Sequence, residues 1–277
     1  MILFHAANSV CCQKVDLVVR ARGIDLEIRP VSLFRAEQYD PAYLALNPNG
    51  LVPTLVHDGR VVIESTLICE YLDECARGGP QLMPQDPWLR SRMRVWTKMV
   101  DEGLHDAVTE ISFSAMFRER LRHTTEPLRR ARIDNVGDLQ RRARYQSTYD
   151  LGVESPWVTF AVAAWDRAFG RLEAALQAGG PWILGADPSL ADVGLMPYAA
   201  RLSYLGLLDL WTAGRPAVEG WWARVREWPA FRSGLADVMP QSEVAEMARH
   251  GPSIRARLGA IRDGAREELA AIARRRA

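Results

Sequence analysis

A serine and two adjacent cysteines follow directly after the first apolar segment of the chain, in the run Ser9-Val10-Cys11-Cys12. The apolar segment 2–5 predicts a short strand, and residues 11–22 carry apolar side chains at helical spacing. The start of a helix stabilises negative charge and lowers the pKa of a nearby thiol. Ser9 is a poor redox nucleophile, but its hydroxyl can donate a hydrogen bond to the thiolate of another molecule. The run favours activation of a thiol cosubstrate, and the alternative for Ser9 is a plain N-cap.

A second candidate element is the run Leu51-Val52-Pro53-Thr54, which precedes a predicted hairpin around Asp58-Gly59. X-Pro bonds are the peptide bonds that adopt the cis form at a useful frequency. A cis bond before Pro53 presents the backbone N–H and C=O of Val52 outward, where an extended peptide can pair as an added strand. The alternative is an ordinary trans proline at a strand edge.

A third candidate element is Glu64-Ser65, which opens the helix after the hairpin. Ser65 suits the N-cap position, and the free N–H groups of a helix start can hold a carboxylate. Glu64 can accept from an ammonium group, so the pair suits the α-amino acid end of a ligand. The alternative is helix capping alone.

The elements that position these residues have the order β-α-β-α-β-β-α. Residues 77–87 contain two Gly and three Pro, which is typical of a linker. Apolar residues recur at helical spacing in most of the chain beyond this segment. The sequence therefore predicts an α/β domain over 1–78, a linker over 79–87 and an all-α domain over 88–277. Residues 118–144 form an Arg-rich insertion in the second domain, with nine Arg against two Glu and two Asp.

Three sequence runs together resemble the cytosolic glutathione S-transferase family over nearly the whole chain. They are 47–55 (Asn-Pro-Asn-Gly-Leu-Val-Pro-Thr-Leu), 64–72 (Glu-Ser-Thr-Leu-Ile-Cys-Glu-Tyr-Leu) and 189–192 (Ser-Leu-Ala-Asp). The third resembles the family's capping box, which is a folding element. The resemblance implies a thioredoxin-like N-terminal domain followed by an all-α helical-bundle C-terminal domain.

The resemblance also implies the binding roles of individual residues. Ser9 corresponds to the serine that donates to the glutathione thiolate. Val52, before cis Pro53, corresponds to the residue whose backbone pairs with the cysteinyl group, and Glu64 and Ser65 to the pair that holds the γ-glutamyl group. Family members often carry a His or Lys near two further positions for the glycyl carboxylate. This chain has neither of them there, so Gln38, Arg35 or a group elsewhere is expected to serve. Leu51 and Pro53, on either side of Val52, are expected to line the glutathione site as well.

The segments 64–71 and 93–102 and the long insertion are similar to bacterial β-aryl etherase-type transferases, which use glutathione to displace a phenol from an aryl ether. The acceptor pocket is expected to be apolar and to lie between the domains. Four residues of the first long helical stretch are its candidates, and ordinary helix packing is the alternative for each of them: His105, Phe113, Met116 and Phe117.

Two other functions remain open. Cys11 or Cys12 could attack a glutathione mixed disulfide, which would make the protein a glutathione-dependent thiol/disulfide oxidoreductase. A non-catalytic glutathione- or ligand-binding module is the other alternative. An inward-facing structural role is expected for Cys12.

Composition and charge restrict the partners. The formal net charge is +1 and the chain has 277 residues, so a basic field for nucleic acid or a membrane surface is not expected. For the Arg-rich segment we expect a solvated insertion, and an anion-binding arm is the alternative. The sequence has no long apolar run and no basic segment before the first strand, which predicts a cytoplasmic protein. Four cysteines suit a reduced protein, and the histidines show no metal-ligand spacing. The resemblance implies a homodimer that uses glutathione and a small electrophile.

Overall fold

The computed structural model describes residues 1–276, so Ala277, the last residue of the predicted helical domain, lies outside the described residues. Its sheet has four strands in the order β2-β1-β3-β4. The strands are β1 (Ile2–His5), β2 (Glu27–Pro30), β3 (Thr54–His57) and β4 (Arg60–Ile63). β1 is parallel to β2, and β3 is antiparallel to both of its neighbours. The ends of β1, β2 and β4 and the start of β3 therefore meet at one edge of the sheet.

Two longer helices and one short helix belong to the same part of the chain. They are α1 (Val10–Arg22), α2 (Pro41–Leu44) and α3 (Ser65–Cys75). α1 buries Val15, Leu17 and Val18 completely. It ends at Gly23, whose φ of 62° is a left-handed conformation that glycine adopts without steric cost. α1 packs against α3, so the starts of both helices lie at the sheet edge described above.

Residues 87–276 are mainly helical. The helices are α4 (Pro87–Met99), α5 (His105–Ser112), α6 (Arg118–Arg122), α7 (Glu126–Asp134), α8 (Leu139–Leu151), α9 (Pro156–Gly179), α10 (Leu190–Tyr204), α11 (Asp209–Thr212), α12 (Pro216–Glu227), α13 (Pro229–Phe231), α14 (Gln241–His250) and α15 (Pro252–Arg276). Two π-helical turns, Val100–Leu104 and Phe113–Phe117, flank α5. None of the described helices is long and apolar enough to cross a membrane.

The predicted fold class, an α/β thioredoxin-like part followed by a helical part, is confirmed. The Arg-rich insertion folds into α6, α7 and the first half of α8. Residues 76–86, between α3 and α4, form neither a helix nor a strand. The exact domain boundaries stay a prediction.

α10 begins with the predicted capping box. The carboxylate of Asp192 is completely buried and accepts hydrogen bonds from the backbone N–H of Ile183, from the backbone N–H and hydroxyl of Ser189, and from Nε1–H of Trp221, each at 3.0 Å. Buried polar groups are stable when their hydrogen-bonding capacity is used. Asp192 thus joins α10 to α12 and to the segment before α10 through one satisfied charge.

Candidate functional site

A cavity of about 600 Å³ opens at the sheet edge where β1, β2 and β4 end. Helices α5 to α8 form its opposite wall. The structure brings to it ten of the residues that the sequence predicted for the site, and all but Met116 and Arg35 are among them: Ser9, Gln38, Leu51, Val52, Pro53, Glu64, Ser65, His105, Phe113 and Phe117. Side chains from distant parts of the chain therefore converge on one cleft of a size typical of small-molecule sites.

Met116 is the predicted pocket residue that the structure places elsewhere. Its side chain is 1% exposed and packs in the hydrophobic core. In an α-helix, residues three apart share a face. Phe113–Phe117 is instead a π-helical turn, and this wider turn leaves Phe113 and Phe117 on the cavity while Met116 faces the core.

Ser9 occupies the N-cap of α1 and also lines the cavity. Its Oγ accepts the backbone N–H of Cys12 at 3.4 Å. A serine hydroxyl has one donor hydrogen besides its acceptor lone pairs. The cap uses the acceptor side, so the hydroxyl hydrogen can turn either to the neighbouring Cys12 sulfur or to a ligand in the cavity. The two alternative roles predicted for Ser9 are therefore compatible.

Val52 presents unused backbone groups to the same cavity. The peptide bond between Val52 and Pro53 is cis, as the sequence interpretation expected. The N–H and C=O of Val52 have no hydrogen-bond partner among residues 1–276. β3 starts two residues later, so an extended peptide laid along Val52 would continue the pairing of the sheet.

Glu64 and Ser65 stand at the start of α3, beside the end of β4. Glu64 has a φ of 70°, an uncommon conformation for a residue with a side chain, and such backbone strain clusters at ligand sites. Within the described part of the chain, the exposed carboxylate of Glu64 forms no hydrogen bond and no ion pair. The free N–H groups of the first turn and this carboxylate can accommodate a carboxylate and an ammonium group side by side.

A buried lysine that the sequence did not single out lies next to this position. Lys14 is 1% exposed, and its Nζ lies 3.0 Å from both Asp101 and Thr66. Asp101 lines the cavity. Burying an ammonium group requires a partner, and here that partner comes from the helical part of the chain. The link fixes α1, α3 and the turn before α5 relative to one another.

Cys11 is the second residue whose surroundings only the fold reveals. Its Sγ lies 3.4 Å from Nδ1 of His105 and 3.7 Å from the hydroxyl of Tyr198. Burial raises the pKa of the Cys11 thiol, but His105 and Lys14 outweigh it and bring the pKa down to about 6. The charge of Cys11 in turn raises the pKa of His105. The arrangement favours a thiolate–imidazolium pair on the wall of the cavity.

The other cysteines differ from Cys11. Cys12 is fully buried, its Sγ accepts the N–H of Ala6, and burial raises the pKa of its thiol. Burial also raises the pKa of Cys69, to about 12. Cys75 is exposed. The expected inward orientation of Cys12 agrees with this placement, and Cys11 is the thiol that combines access to the cavity with charged partners.

The residues named for a terminal carboxylate divide into two groups. Arg35 is exposed, pairs with Glu37 and does not line the cavity. Gln38 is 6% exposed and does line the cavity. The helical wall adds five arginines to the lining: Arg120, Arg132, Arg141, Arg144 and Arg201. Among the described residues, no group of three or more His, Cys, Asp or Glu side chains could hold a metal ion.

Two family models match the chain. Residues 8–75 match the N-terminal domain of glutathione S-transferase, and residues 142–224 match the C-terminal domain of glutathione S-transferase. Together the two matches span just over half of the chain.

Three relatives illustrate the similarity. Protein LigF of Sphingobium sp. strain SYK-6 is 48% identical over 94 residues, which cover 34% of this chain and only 37% of that protein. Maleylacetoacetate isomerase of Pseudomonas aeruginosa is 29% identical over 88% of this chain and 100% of that protein. The crystal structure of beta-etherase LigF superposes with a TM-score of 0.75 and 26% identity, covering 85% of this chain and 98% of that one. The two matched segments fall in the sheet-containing part and in the helical part of the chain, as the superposed structure also indicates.

Proposed function

Since the chain belongs to the glutathione S-transferase family, whose reactions use glutathione, we propose that Ser9 activates the glutathione thiol for attack on an electrophile in the cleft. The observation that carries the proposal is the hydroxyl of Ser9, held at the start of α1 on the cavity wall. The hydroxyl and the helix start both favour the ionised sulfur. A decrease of about two units in the pKa of the bound thiol corresponds to about 2.7 kcal/mol.

The proposed pose of glutathione follows the sheet edge. The γ-glutamyl end lies at Glu64 and Ser65, where a free carboxylate and a helix start are adjacent. The cysteinyl backbone pairs with the free N–H and C=O of Val52. The sulfur then faces Ser9, on the loop that follows β1. Because β1 and β4 both neighbour β3, one extended peptide can reach all three positions.

The test of thiol activation compares Ser9→Ala with Ser9→Thr. We expect Ser9→Ala to raise the pKa of bound glutathione by about two units and to lower kcat/KM about 100-fold. Ser9→Thr keeps both the hydroxyl and the cap and should stay close to the wild type. The pKa is read from the ultraviolet absorbance of the thiolate during a pH titration of the complex. If Ser9→Ala changes neither the pKa nor kcat/KM, Ser9 has only its capping role.

For the substrate we propose an aryl ether of the β-etherase type. Support comes from the LigF match and from aromatic side chains on the helical wall, where Phe113 stacks on Tyr145 with ring centroids 5.7 Å apart. In the proposed reaction the thiolate carbon–sulfur bond forms, the ether carbon–oxygen bond breaks, and the released phenolate takes up a proton. An aromatic leaving group suits a wall with stacked rings.

The substrate is tested with reduced glutathione and a racemic β-aryl ether. Equal amounts of released phenol and glutathione adduct support the etherase proposal, and chiral chromatography of the remaining ether gives the enantiomer preference. Absence of both products rejects the aryl ether as substrate but leaves thiol activation, which the Ser9 variants test independently. A maleylacetoacetate isomerisation assay is the contrasting arm, since isomerases align along most of the chain.

The Cys11–His105 pair supports a second candidate function, thiol–disulfide exchange with a glutathione mixed disulfide. The Cys11 thiolate would attack one sulfur of the disulfide, form a new S–S bond and release the other thiolate. We expect Cys11→Ser to abolish this activity and Ser9→Ala to preserve it. The reverse pattern would assign the exchange to the Ser9 site.

We also propose a homodimer in the cytoplasm. Apolar side chains stand exposed on α3 and α4: Leu67 is 56% exposed, Trp88 67% and Val95 54%. Contiguous exposed apolar surface marks interfaces, and in the proposed dimer these three side chains contribute to one. The four cysteines are all free thiols, which suits a reducing compartment. Sedimentation equilibrium tests the dimer. The wild type should sediment as a dimer and Trp88→Glu should dissociate more readily. A monomeric wild type would contradict the proposal.

A further inference from the structure

Tyr145 is a phenol on the helical wall of the cavity whose hydroxyl the protein itself leaves unused. It lies on α8, lines the cavity, and its ring stacks on Phe113 with an interplanar angle of 9°. Among residues 1–276, the hydroxyl of Tyr145 forms no hydrogen bond. A tyrosine hydroxyl that is withdrawn from water usually has a hydrogen-bond partner. The stack therefore restricts the ring while the hydroxyl hydrogen remains available to a ligand.

Arg132 is the cavity-lining arginine that lacks a partner within the described part of the chain. The other four have one: Arg120 pairs with Glu243 and Glu246, Arg144 with Asp106, Arg201 donates to Asn8, and Arg141 lies beside Asp138. Arg132, on α7, forms no hydrogen bond and no ion pair among residues 1–276. Burial lowers the pKa of Arg132, and the groups that act on it are the phenols Tyr145 and Tyr39 and the cation Arg120. Such a cation becomes more stable when an anion lies beside it.

Both groups are hydrogen-bond donors at neutral pH. Burial raises the pKa of Tyr145 to about 12, although the charges of Arg141 and Arg132 act in the opposite direction. Tyr145 therefore keeps its proton, and a guanidinium group stays charged over the same pH range. The unused hydrogen-bonding capacity here consists of one phenol O–H and the N–H groups of one cation. A negatively charged oxygen is the ligand atom that complements them.

The two donors lie on the wall toward which the proposed reaction moves negative charge. Ser9, where the glutathione sulfur is proposed to bind, stands at the sheet edge, and helices α5 to α8 form the opposite wall. Displacement at a saturated carbon places the nucleophile and the leaving group on opposite sides of that carbon. An ether that is attacked by a sulfur at Ser9 therefore directs its leaving oxygen toward the wall that carries Tyr145 and Arg132.

We infer that Tyr145 and Arg132 form a phenolate-binding subsite that stabilises the leaving oxygen of an aryl ether. The inference rests on the proposed function and deepens it, because it assigns residues to the second half of the displacement. As the carbon–sulfur bond forms, the carbon–oxygen bond breaks and its electron pair moves to the oxygen. The Tyr145 hydroxyl donates a hydrogen bond to this oxygen, and Arg132 supplies the counter-charge. Tyr145 keeps its own proton, and the phenolate takes its proton from water after release. Donors held where charge develops lower the barrier of the reaction.

The kinetic test varies the acidity of the leaving phenol. Two β-aryl ethers are compared, one that releases 4-nitrophenol and one that releases 4-methoxyphenol, whose anion is the stronger base. The variants are Tyr145→Phe, which keeps the stacked ring, and Arg132→Ala. The controls are Tyr149→Phe, on the same helix but outside the cavity lining, and Arg130→Ala, on α7, where Arg130 is exposed and pairs with Glu126.

We expect each of Tyr145→Phe and Arg132→Ala to lower kcat/KM about tenfold for the 4-methoxyphenyl ether and less than about threefold for the 4-nitrophenyl ether. Both controls should behave as the wild type with both ethers. The dissociation constant of glutathione and the pKa of its bound thiol should not change, since the variants lie across the cleft from Ser9. An equal loss for both ethers, or no loss for either, would overturn the inference. The melting temperature of each variant checks that the fold is intact.

A binding experiment tests the subsite without glutathione and without an ether. 4-Nitrophenol changes its absorbance when it ionises, so a pH titration gives the pKa of the bound probe. Tyr145→Phe and Arg132→Ala should each raise this pKa by about one unit relative to the wild type, and the controls should leave it unchanged. A pKa of the bound probe that neither variant alters would overturn the inference.

Two further outcomes separate this inference from its neighbours. If the wild type cleaves no aryl ether but both variants raise the pKa of bound 4-nitrophenol, the aryl ether is rejected as substrate and the phenolate subsite stands. 4-Nitrobenzoate is the second probe, because a substrate carboxylate would present the same negatively charged oxygen. Weaker binding of 4-nitrobenzoate to both variants, with an unchanged pKa of bound 4-nitrophenol, would overturn the assignment to a phenolate.

Discussion

Asp192 at the start of α10 and Arg132 on the cavity wall are both charged groups withdrawn from solvent, but their surroundings are opposite. Asp192 is completely buried and accepts four hydrogen bonds. Arg132 has no hydrogen-bond or ion-pair partner among the described residues. A satisfied buried charge contributes to the fold, whereas an unsatisfied one costs stability until a ligand provides the missing partner.

The largest expected effect is the loss of stability on removal of Asp192, the buried charge whose hydrogen bonds are all formed. We expect Asp192→Ala to lower the free energy of unfolding by about 3 kcal/mol, because it leaves buried donors of Ile183, Ser189 and Trp221 unpaired. Urea denaturation measures the change. The exposed Asp187, on the loop before α10, provides the control Asp187→Ala, which should be nearly neutral. A loss below about 1 kcal/mol for Asp192→Ala would show that satisfaction of these donors is not what stabilises the cap.

An intermediate case is Cys11, a charged group that is both paired and open to the cavity. Because its pKa is brought to about 6, the thiolate fraction and the rate of alkylation by iodoacetamide should rise through pH 6 and level off above it. His105→Ala removes the imidazolium partner, so we expect the inflection to move to higher pH and the rate at pH 6.5 to fall about tenfold.

The exposed Cys75 in the same samples is the internal reference for that experiment, with labelling located by peptide mass spectrometry. At pH 6.5 Cys11 should react faster than Cys75 although it is less exposed. Slower labelling of Cys11 than of Cys75, or a profile that His105→Ala leaves unmoved, would contradict the thiolate–imidazolium pair.

A smaller effect is expected from the apolar part of the helical wall. Phe113→Ala removes one ring of the stack with Tyr145, a contact worth about 1 kcal/mol, so kcat/KM for an aromatic acceptor should fall about fivefold. Glutathione affinity should stay the same, because Phe113 lies across the cleft from the sheet edge. Phe160→Ala is the control, since Phe160 is 65% exposed on α9. An equal loss of glutathione affinity would contradict the assignment of the acceptor to the helical wall and of glutathione to the sheet edge.

The smallest expected effect concerns Arg132, the charged group without a hydrogen-bond partner among the described residues, and the free energy of unfolding of the unliganded protein. Arg132→Ala should leave the unliganded protein as stable as the wild type or more stable by up to about 0.5 kcal/mol, since it breaks no hydrogen bond and no ion pair and removes a partly desolvated charge. Urea denaturation without and with 4-nitrophenol separates intrinsic stability from ligand stabilisation. The stabilisation by 4-nitrophenol should shrink relative to Arg130→Ala. A large destabilisation of the unliganded Arg132→Ala protein would contradict a ligand-binding role and show that Arg132 is a structural residue.

Much of the sheet-side wall was predictable because its groups are local in the chain. Ser9 and Ser65 occupy helix starts, and Val52 precedes a proline and a hairpin, so short runs of sequence specify their backbone surroundings. The capping box at Ser189 and Asp192 is also a local motif, and the structure confirms it.

The helical wall was less predictable because its groups meet across long stretches of chain. Met116 was a candidate for the pocket with helix packing as the alternative, and at the π-helical turn it packs in the core. Lys14 and Asp101 are 87 positions apart, and Cys11 and His105 are 94 apart. Spacing within one helix carries no signal for such pairs. Arg132 and Arg141 were part of an Arg-rich run that was expected to be a solvated insertion, and composition did not distinguish them from their neighbours.

The sequence by itself determined the order of elements, the helix caps and the three runs that identify the family, because each depends on interactions between residues a few positions apart. Only the tertiary structure decided which thiol has charged partners, that Met116 faces the core and not the cleft, and that the Arg132 guanidinium lacks a hydrogen-bond or ion-pair partner among the described residues. Desolvation and charge pairing depend on every group within a few ångströms. Those neighbours come from helices far apart in the chain, so they are defined only when the helices pack against the sheet.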